Sequence, residues 1–105
     1  MDVKWSNDAA EDLDSLVQYI SRDSVFYAQT FAERLVLATR RLSEFAQSGR
    51  TIPEVEDGNL REIIVDSCRV MYRIEPDRVL ILAVMHSRRD FTHPHNQAWN
   101  RDGDD

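Results

Sequence analysis

The residues best suited to chemistry lie between positions 60 and 89. They are one histidine, His86, and five arginines, Arg61, Arg69, Arg73, Arg88 and Arg89. A guanidinium group binds a carboxylate or another oxyanion through two parallel hydrogen bonds. An imidazole with its ordinary pKa of about 6.5 exchanges protons near neutral pH. These groups can therefore anchor an acidic partner, or combine acid–base catalysis with stabilisation of a developing anion.

Three strand-like runs must position these side chains. They cover residues 60–65, 68–74 and 79–87. The connectors at 66–67 and 75–78 hold Asp, Ser and Pro, which favour tight turns. Because short connectors join antiparallel neighbours, the pattern predicts a three-stranded antiparallel meander.

The middle run alternates between two kinds of side chain. One face carries Cys68, Val70, Tyr72 and Ile74, and the other carries Arg69, Met71 and Arg73. We expect the first face to be core and the second to be at least partly open to water. Arg69 and Arg73 are then candidates for partner binding. The alternative is pairing with cross-strand carboxylates, namely Glu62, Asp66 or Glu75, each exposed pair contributing roughly 0–1 kcal/mol.

The third run is apolar without interruption from residue 79 to residue 85. This pattern is typical of a strand that is covered on both faces and paired on both edges. The meander supplies a neighbour on one edge alone. Residues 3–5 are the best candidate for the missing strand, and the pattern leaves its direction open.

Two amphipathic helices are predicted between the first strand and the meander. The first covers residues 7–21 after the N-cap residue Ser6, and the second covers about 25–47 after Ser24. The short gap between them predicts an antiparallel hairpin. Residues 46–59 form an irregular connection. The fold class is therefore α+β, in the order β-α-α-β-β-β, with the helices on one face of the sheet and the other face as the working surface.

Periodicity also predicts the core and the outer face of the first helix. The core set is Leu13, Val17, Ile20, Phe31, Leu35, Leu42, Phe45, Val70, Tyr72, Ile74 and most of 79–85. Glu11, Asp12 and Asp14 are expected on the outer face, as a solvated surface or an acidic docking surface.

The length and composition predict one soluble, cytoplasmic domain. With 105 residues, 42% of them hydrophobic, the chain can build a single modest core. We expect a domain over residues 1–92 and a flexible polar tail over 93–105. The lone cysteine, Cys68, excludes an internal disulfide framework, and no stretch is apolar for the length of a membrane span.

Charge separates the meander from the rest of the chain. The net charge is −6, yet residues 60–89 carry six arginines against four carboxylates. An acidic whole disfavours non-specific nucleic-acid binding, so no direct DNA binding is expected without a partner. His93 and His95 lack a carboxylate or cysteine neighbour for a metal site, and Cys68 faces the core. No metal or cofactor is therefore expected.

Five segments, in order and spacing, resemble one family. They are residues 3–6 (VKWS), 49–54 (GRTIPE), 60–65 (LREIIV), 70–74 (VMYRI) and 81–90 (ILAVMHSRRD). They are similar to the RelE/ParE superfamily of toxins from type II toxin–antitoxin systems. The similarity is nearest to the ParE-like, or plasmid-stabilisation, branch.

The resemblance implies a partner and two candidate activities. The partner is a cognate antitoxin encoded by the adjacent gene, in a dimer or heterotetramer. ParE-like toxins inhibit DNA gyrase by binding it, whereas RelE-like relatives cut mRNA in the ribosome. In the second case His86 would serve as acid or base, with Arg61 and Arg73 stabilising the phosphorane.

The residues favour the binding activity over the ribonuclease. Residues 60–90 lack lysine, the chain is acidic, and Tyr72 points to the core. We therefore expect a toxin that acts by protein binding through Arg61, Arg69, Arg73, Arg88 and Arg89. A metal-independent endoribonuclease, or a toxin fold with weak or lost toxicity, are the alternatives.

Overall fold

The computed structural model describes residues 1–86, which fold as two helices packed on a five-stranded sheet. The helices are α1 (Asn7–Ser21) and α2 (Val25–Arg40). The strands are β1 (Asp2–Trp5), β2 (Arg50–Thr51), β3 (Leu60–Val65), β4 (Cys68–Ile74) and β5 (Arg78–His86). Arg88, Arg89 and the proposed tail at 93–105 lie outside the described residues.

The sheet has the order β1-β5-β4-β3-β2. β3, β4 and β5 form the expected antiparallel meander. β1 fills the open edge of β5 and runs parallel to it, with Val3 opposite Val79. The predicted α+β fold, with its helix pair on the sheet, is therefore confirmed, and the sheet is mixed.

Both helices begin where the sequence predicts. The Ser6 hydroxyl accepts a hydrogen bond from the Ala9 N–H at 3.1 Å, and the Ser24 hydroxyl accepts one from the Tyr27 N–H at 3.0 Å. Each cap satisfies an amide that has no partner within its helix.

The second helix ends earlier than predicted. α2 stops at Arg40, and two short 3₁₀ turns follow, at Arg41–Ser43 and Ala46–Ser48. Leu42 stays buried, but Phe45 is 60% exposed, so its assignment to the core was wrong. Helical spacing no longer applies once the backbone leaves the α-helix, and Phe45 itself has φ −125° and ψ 57°.

One hydrophobic core lies between the helices and the sheet. Phe31, Leu35 and Leu42 meet Val70, Tyr72 and Ile81 there, all nearly or completely buried. Leu13, Val17, Ile20 and Ile74 border this core and are partly buried. Apart from Phe45, the core residues predicted outside 79–85 take part in this core, together with Val79, Ile81 and Val84. The prediction of a single core was wrong for Leu80, Leu82, Ala83 and Met85, which lie on the opposite face of the sheet.

A second hydrophobic cluster covers the opposite face of the sheet. It contains Ile52, Leu60, Met71, Leu80, Leu82, Ala83 and Met85. We call residues 46–59 the wrapping segment. Its Ala46 packs on the helix side of the sheet, and its strand β2 pairs with the edge of β3. Ile52 and Val55 of the same segment pack on the opposite face. The prediction that this face is open was wrong for Met71, which has no exposed surface, and for Arg69, which is 6% exposed.

A β-bulge in β5 divides the strand between the two clusters. Tyr72 pairs with Ile81 but Met71 pairs with Ala83, which leaves Leu82 as the additional residue. Leu82 and Ala83 both join the second cluster, and Val84 returns to the helix side. Both faces of β5 are buried, which explains its uninterrupted apolar run.

Candidate protein-binding site

A groove lies between the helix hairpin and the end of β5. Its volume is about 650 Å³, and its lining includes Tyr19 from α1, Tyr27 and Phe31 from α2, and His86 from β5. The turn residues Asp66, Ser67 and the start of β4 complete the wall. An aromatic lining with a few polar groups is suited to holding a protein segment.

The groove borders the part of β5 that β1 leaves uncovered. β1 pairs with residues 78–81 and stops there. The chain then turns into α1, where the Ser6 N–H donates to the Ile81 carbonyl at 3.0 Å. Asp12 accepts a hydrogen bond from the Val84 N–H at 3.0 Å. Asp12 was predicted on the outer face of α1, and the structure instead places it against this strand edge.

Large aromatic side chains are exposed at the hairpin end of the groove. Tyr19 is 66% exposed, Phe26 79% and Tyr27 47%. The Arg22 guanidinium lies 5.7 Å from the centre of the Tyr19 ring, a cation–π distance. Clustered exposed aromatics beside a groove are typical of a protein interface.

The sheet arginines do not form one open cationic surface. Arg69 on β4 donates from Nε to Glu62 at 2.8 Å, and from Nη1 and Nη2 to Glu54 at 3.0 Å each. Arg50 on β2 donates from Nη2 to Glu62 at 3.0 Å. We call these four residues the charge network. Their positive and negative charges alternate across three strands and the turn after β2.

The network shifts the pKa values of Glu54 and Arg69. The hydrogen bond from Arg69, opposed by partial burial, lowers the pKa of Glu54. Burial works to lower the pKa of Arg69, but hydrogen bonds and charges from Glu54 and Glu62 outweigh it and raise that pKa. The interaction therefore favours the charged form of both Glu54 and Arg69. The sequence named Glu62 as a partner of Arg69 but missed Glu54 and Arg50, which come from a segment predicted to be irregular.

The Arg61 guanidinium hydrogen-bonds to backbone carbonyls of the wrapping segment. Its Nε donates to the Gly58 carbonyl at 3.0 Å, and its Nη1 donates to the Gly49 carbonyl at 2.9 Å. The guanidinium therefore fixes backbone within this chain. Arg73 is partly buried and lies between Leu60 and Leu80, on the face of the second cluster.

The three residues suggested for RNA cleavage are not brought together. His86 pairs with Cys68 and lies on the helix side, whereas Arg73 lies on the opposite face. Cys68 and Arg73 are five residues apart on β4, which corresponds to roughly 17 Å along a strand. Cys68 is buried, and this burial is the main cause that raises the pKa of its thiol. The nearby negative charge of Asp66 raises that pKa further.

The Tyr72 hydroxyl has a structural role that the sequence did not predict. Its hydroxyl donates to the Ala46 carbonyl at 2.6 Å and accepts from the Gly49 N–H at 3.0 Å. Burial is the main cause that raises the pKa of this phenol. The inward direction of the side chain follows from strand alternation, but its polar partners come from 23 or more positions earlier in the chain.

Within residues 1–86, no cluster of three or more His, Cys, Asp or Glu side chains could hold a metal ion. None of the helices there is long and apolar enough to cross a membrane. His93 and His95 lie outside this part of the chain.

Comparison with known proteins identifies a family. A family profile described as "ParE toxin of type II toxin-antitoxin system, parDE" matches residues 3–91. A solved structure described as "Chromosomal ParDE TA system from P. aeruginosa" is similar in fold, with a TM-score of 0.68 and 22% sequence identity. The match covers 82% of this chain and 95% of that one. A comparison with proteins of curated function gives no match.

Proposed function

This chain belongs to the ParE toxin family of type II toxin–antitoxin systems, and from that premise we propose that it acts by binding proteins rather than by cleaving RNA. DNA gyrase is the proposed target. A cognate antitoxin, encoded by the adjacent gene, is the proposed neutralising partner. The cytoplasm, where both partners would be met, is the proposed location.

The groove beside the uncovered edge of β5 is the observation that carries this proposal. It combines exposed aromatic side chains with a strand end, and it is large enough for several side chains of a partner. An extended or helical antitoxin segment would place apolar residues against Tyr19 and Tyr27. Arg88 and Arg89 follow His86 by two and three positions in the sequence, and we propose them as anchors for carboxylates on the same segment.

The sheet arginines differ in how directly they can contact a partner protein. Arg61 and Arg69 satisfy carbonyls and carboxylates of this chain, so their contribution to a partner is indirect. The Arg73 side chain makes no hydrogen bond or ion pair within residues 1–86, and Arg73 is the proposed contact on the other face. Its guanidinium can therefore bind an acidic residue of a partner without breaking an internal interaction.

Binding measurements with the adjacent-gene protein test the proposed antitoxin site. We expect Tyr27→Ala and the double reversal Arg88→Glu/Arg89→Glu to weaken the complex, and the double reversal also to reduce its salt dependence. Ile64→Asp is the matched control, because Ile64 is an exposed apolar residue paired with Arg69 on the other face. Unchanged affinity for both the Tyr27 variant and the double reversal would place the antitoxin elsewhere.

A supercoiling assay tests the proposed target separately. The full chain should inhibit purified DNA gyrase, and an equimolar amount of antitoxin should restore supercoiling. Induced expression without the antitoxin should give filamentous cells and an SOS response. Undisturbed gyrase in the presence of a toxic chain would refute the target while leaving the antitoxin site standing.

A further inference from the structure

The outer surface of α2 carries a short, self-complementary stripe. It consists of Glu33, Val36, Leu37 and Arg40, with the small residue Ala32 beside them, and is called here the α2 stripe. These residues line a shallow hollow of about 420 Å³. Leu37 is 55% exposed, and both charged residues are exposed. Within residues 1–86, neither Glu33 nor Arg40 forms an ion pair.

The order of residues in the stripe has a twofold character. The point midway between Val36 and Leu37 is also midway between Glu33 and Arg40. If two copies of α2 cross in antiparallel directions at this point, Glu33 of each copy lies opposite Arg40 of the other. The apolar pair then lies against its own counterpart on the twofold axis.

We propose that the α2 stripe is a homodimerisation surface on which a second copy of this chain packs its own α2 in the antiparallel direction. Charge complementarity identifies the partner as a second copy of this chain. The antiparallel crossing forms two equivalent Glu33–Arg40 pairs, one on each side of a central apolar contact. Shifting the crossing to Glu33 would place the two carboxylates against each other, so electrostatics disfavours that register. In this register Leu37 of each copy lies opposite Val36 of the other.

The dimer leaves the groove free. Tyr27 and Phe31 line the groove, whereas the stripe occupies another side of α2, and the two sets of lining residues share no member. A dimer of toxins could therefore hold an antitoxin segment on each copy. The inference stands independently of the proposed function, because it uses no residue of the groove.

A charge-swap series measured by sedimentation equilibrium tests the register. Glu33→Arg places like charges together in both symmetric pairs, and Arg40→Glu does the same, so each single variant should weaken dimerisation by at least about tenfold. The double variant Glu33→Arg/Arg40→Glu exchanges the charges and should restore it. A wild-type chain that stays monomeric at every concentration, or a double variant as weak as the singles, would overturn the proposal.

A cross-linking experiment provides a second, independent readout. Leu37→Cys places a thiol beside the twofold axis, and mild oxidation should give a disulfide-linked dimer. Glu11→Cys is the control, since Glu11 is exposed on α1 and should not cross-link. The native Cys68 is buried and does not compete. Equal cross-linking of the two variants would show random collision and would also overturn the proposal.

Discussion

The guanidinium of Arg69 and the carboxylate of Glu62 meet at 2.6 Å, from Nη2 to Oε2, and their side chains are 7% and 0% exposed. This pair joins β4 to β3 beneath the wrapping segment, and Glu54 and Arg50 extend it on either side. Buried ion pairs contribute little net stability, because desolvation offsets the attraction. Their effect here is to fix where the turn after β2 lies on the sheet.

Replacing Arg69 with methionine should destabilise the fold strongly. Arg69→Met keeps much of the length of the side chain but leaves the fully buried Glu62 with Arg50 as its remaining cation. Removing one partner of a buried ion pair typically costs roughly 3–5 kcal/mol, and we expect the lower end of this range because Arg50 remains. Urea unfolding should show that loss in the free energy of unfolding.

Two further variants separate charge from packing in this experiment. Arg41→Met removes an exposed arginine and should change the free energy of unfolding by less than about 0.5 kcal/mol. Glu62→Leu combined with Arg69→Met removes both charges and should recover much of the lost stability. A double variant no more stable than Arg69→Met would show that the arginine acts through packing alone.

Acid should weaken the chain partly through Glu54. Because Arg69 lowers the pKa of Glu54 in the folded chain, the ionised carboxylate favours folding. This contribution is complete above the ordinary glutamate pKa of about 4.3 and is lost as pH falls through the folded pKa. Unfolding curves at falling pH should therefore show a smaller loss for Glu54→Gln than for the original chain. If the variant and the original chain lose the same stability as pH falls, other carboxylates cause the acid sensitivity.

Adding one methyl group at Gly49 should disturb the wrapping segment. A Cβ there would lie 2.5 Å from the Tyr72 hydroxyl oxygen and 2.6 Å from the Glu62 carbonyl oxygen. Gly49→Ala must therefore displace backbone or break the Tyr72 hydrogen bond, at a cost of roughly 1–3 kcal/mol. Gly58→Ala is the matched control, since nothing lies within 4 Å of its Cβ position. Equal melting temperatures for the two variants would contradict the close approach.

Two leucines on α2 give a matched test of the main core. Leu35 has no exposed surface, whereas Leu37 is 55% exposed on the same helix. Leu35→Ala should cost roughly 2–5 kcal/mol because it leaves a cavity. Leu37→Ala should change the monomer's stability by less than about 0.5 kcal/mol. An unchanged melting temperature for Leu35→Ala would refute its place in the core.

Local patterns in the sequence predict most of the fold. The N-caps Ser6 and Ser24, the alternation in β4 and the apolar run of β5 each depend on neighbours a few residues away. The partner of β5 was also inferable, because a strand buried on both faces needs a neighbour on each edge.

The candidate site depends on contacts that such patterns do not encode. The wrapping segment has a two-residue strand, and nothing in its periodicity indicates that Ile52 covers Met71. Arg69 therefore looked exposed from alternation alone. The groove likewise arises where three distant segments meet, and Asp12 at its strand edge is indistinguishable in sequence from a solvated helix residue.

The last prediction separates the binding toxin from a ribonuclease. Acid–base catalysis at His86 would contribute roughly 10²–10⁴-fold to cleavage, but it needs cations beside the reacting phosphate. Arg61 is bonded to backbone carbonyls, and Arg73 lies on the other face of the sheet. We expect toe-printing on translating ribosomes to show intact mRNA and His86→Ala to keep most of its toxicity. Codon-specific cuts that disappear in His86→Ala would assign the toxicity to RNA cleavage instead.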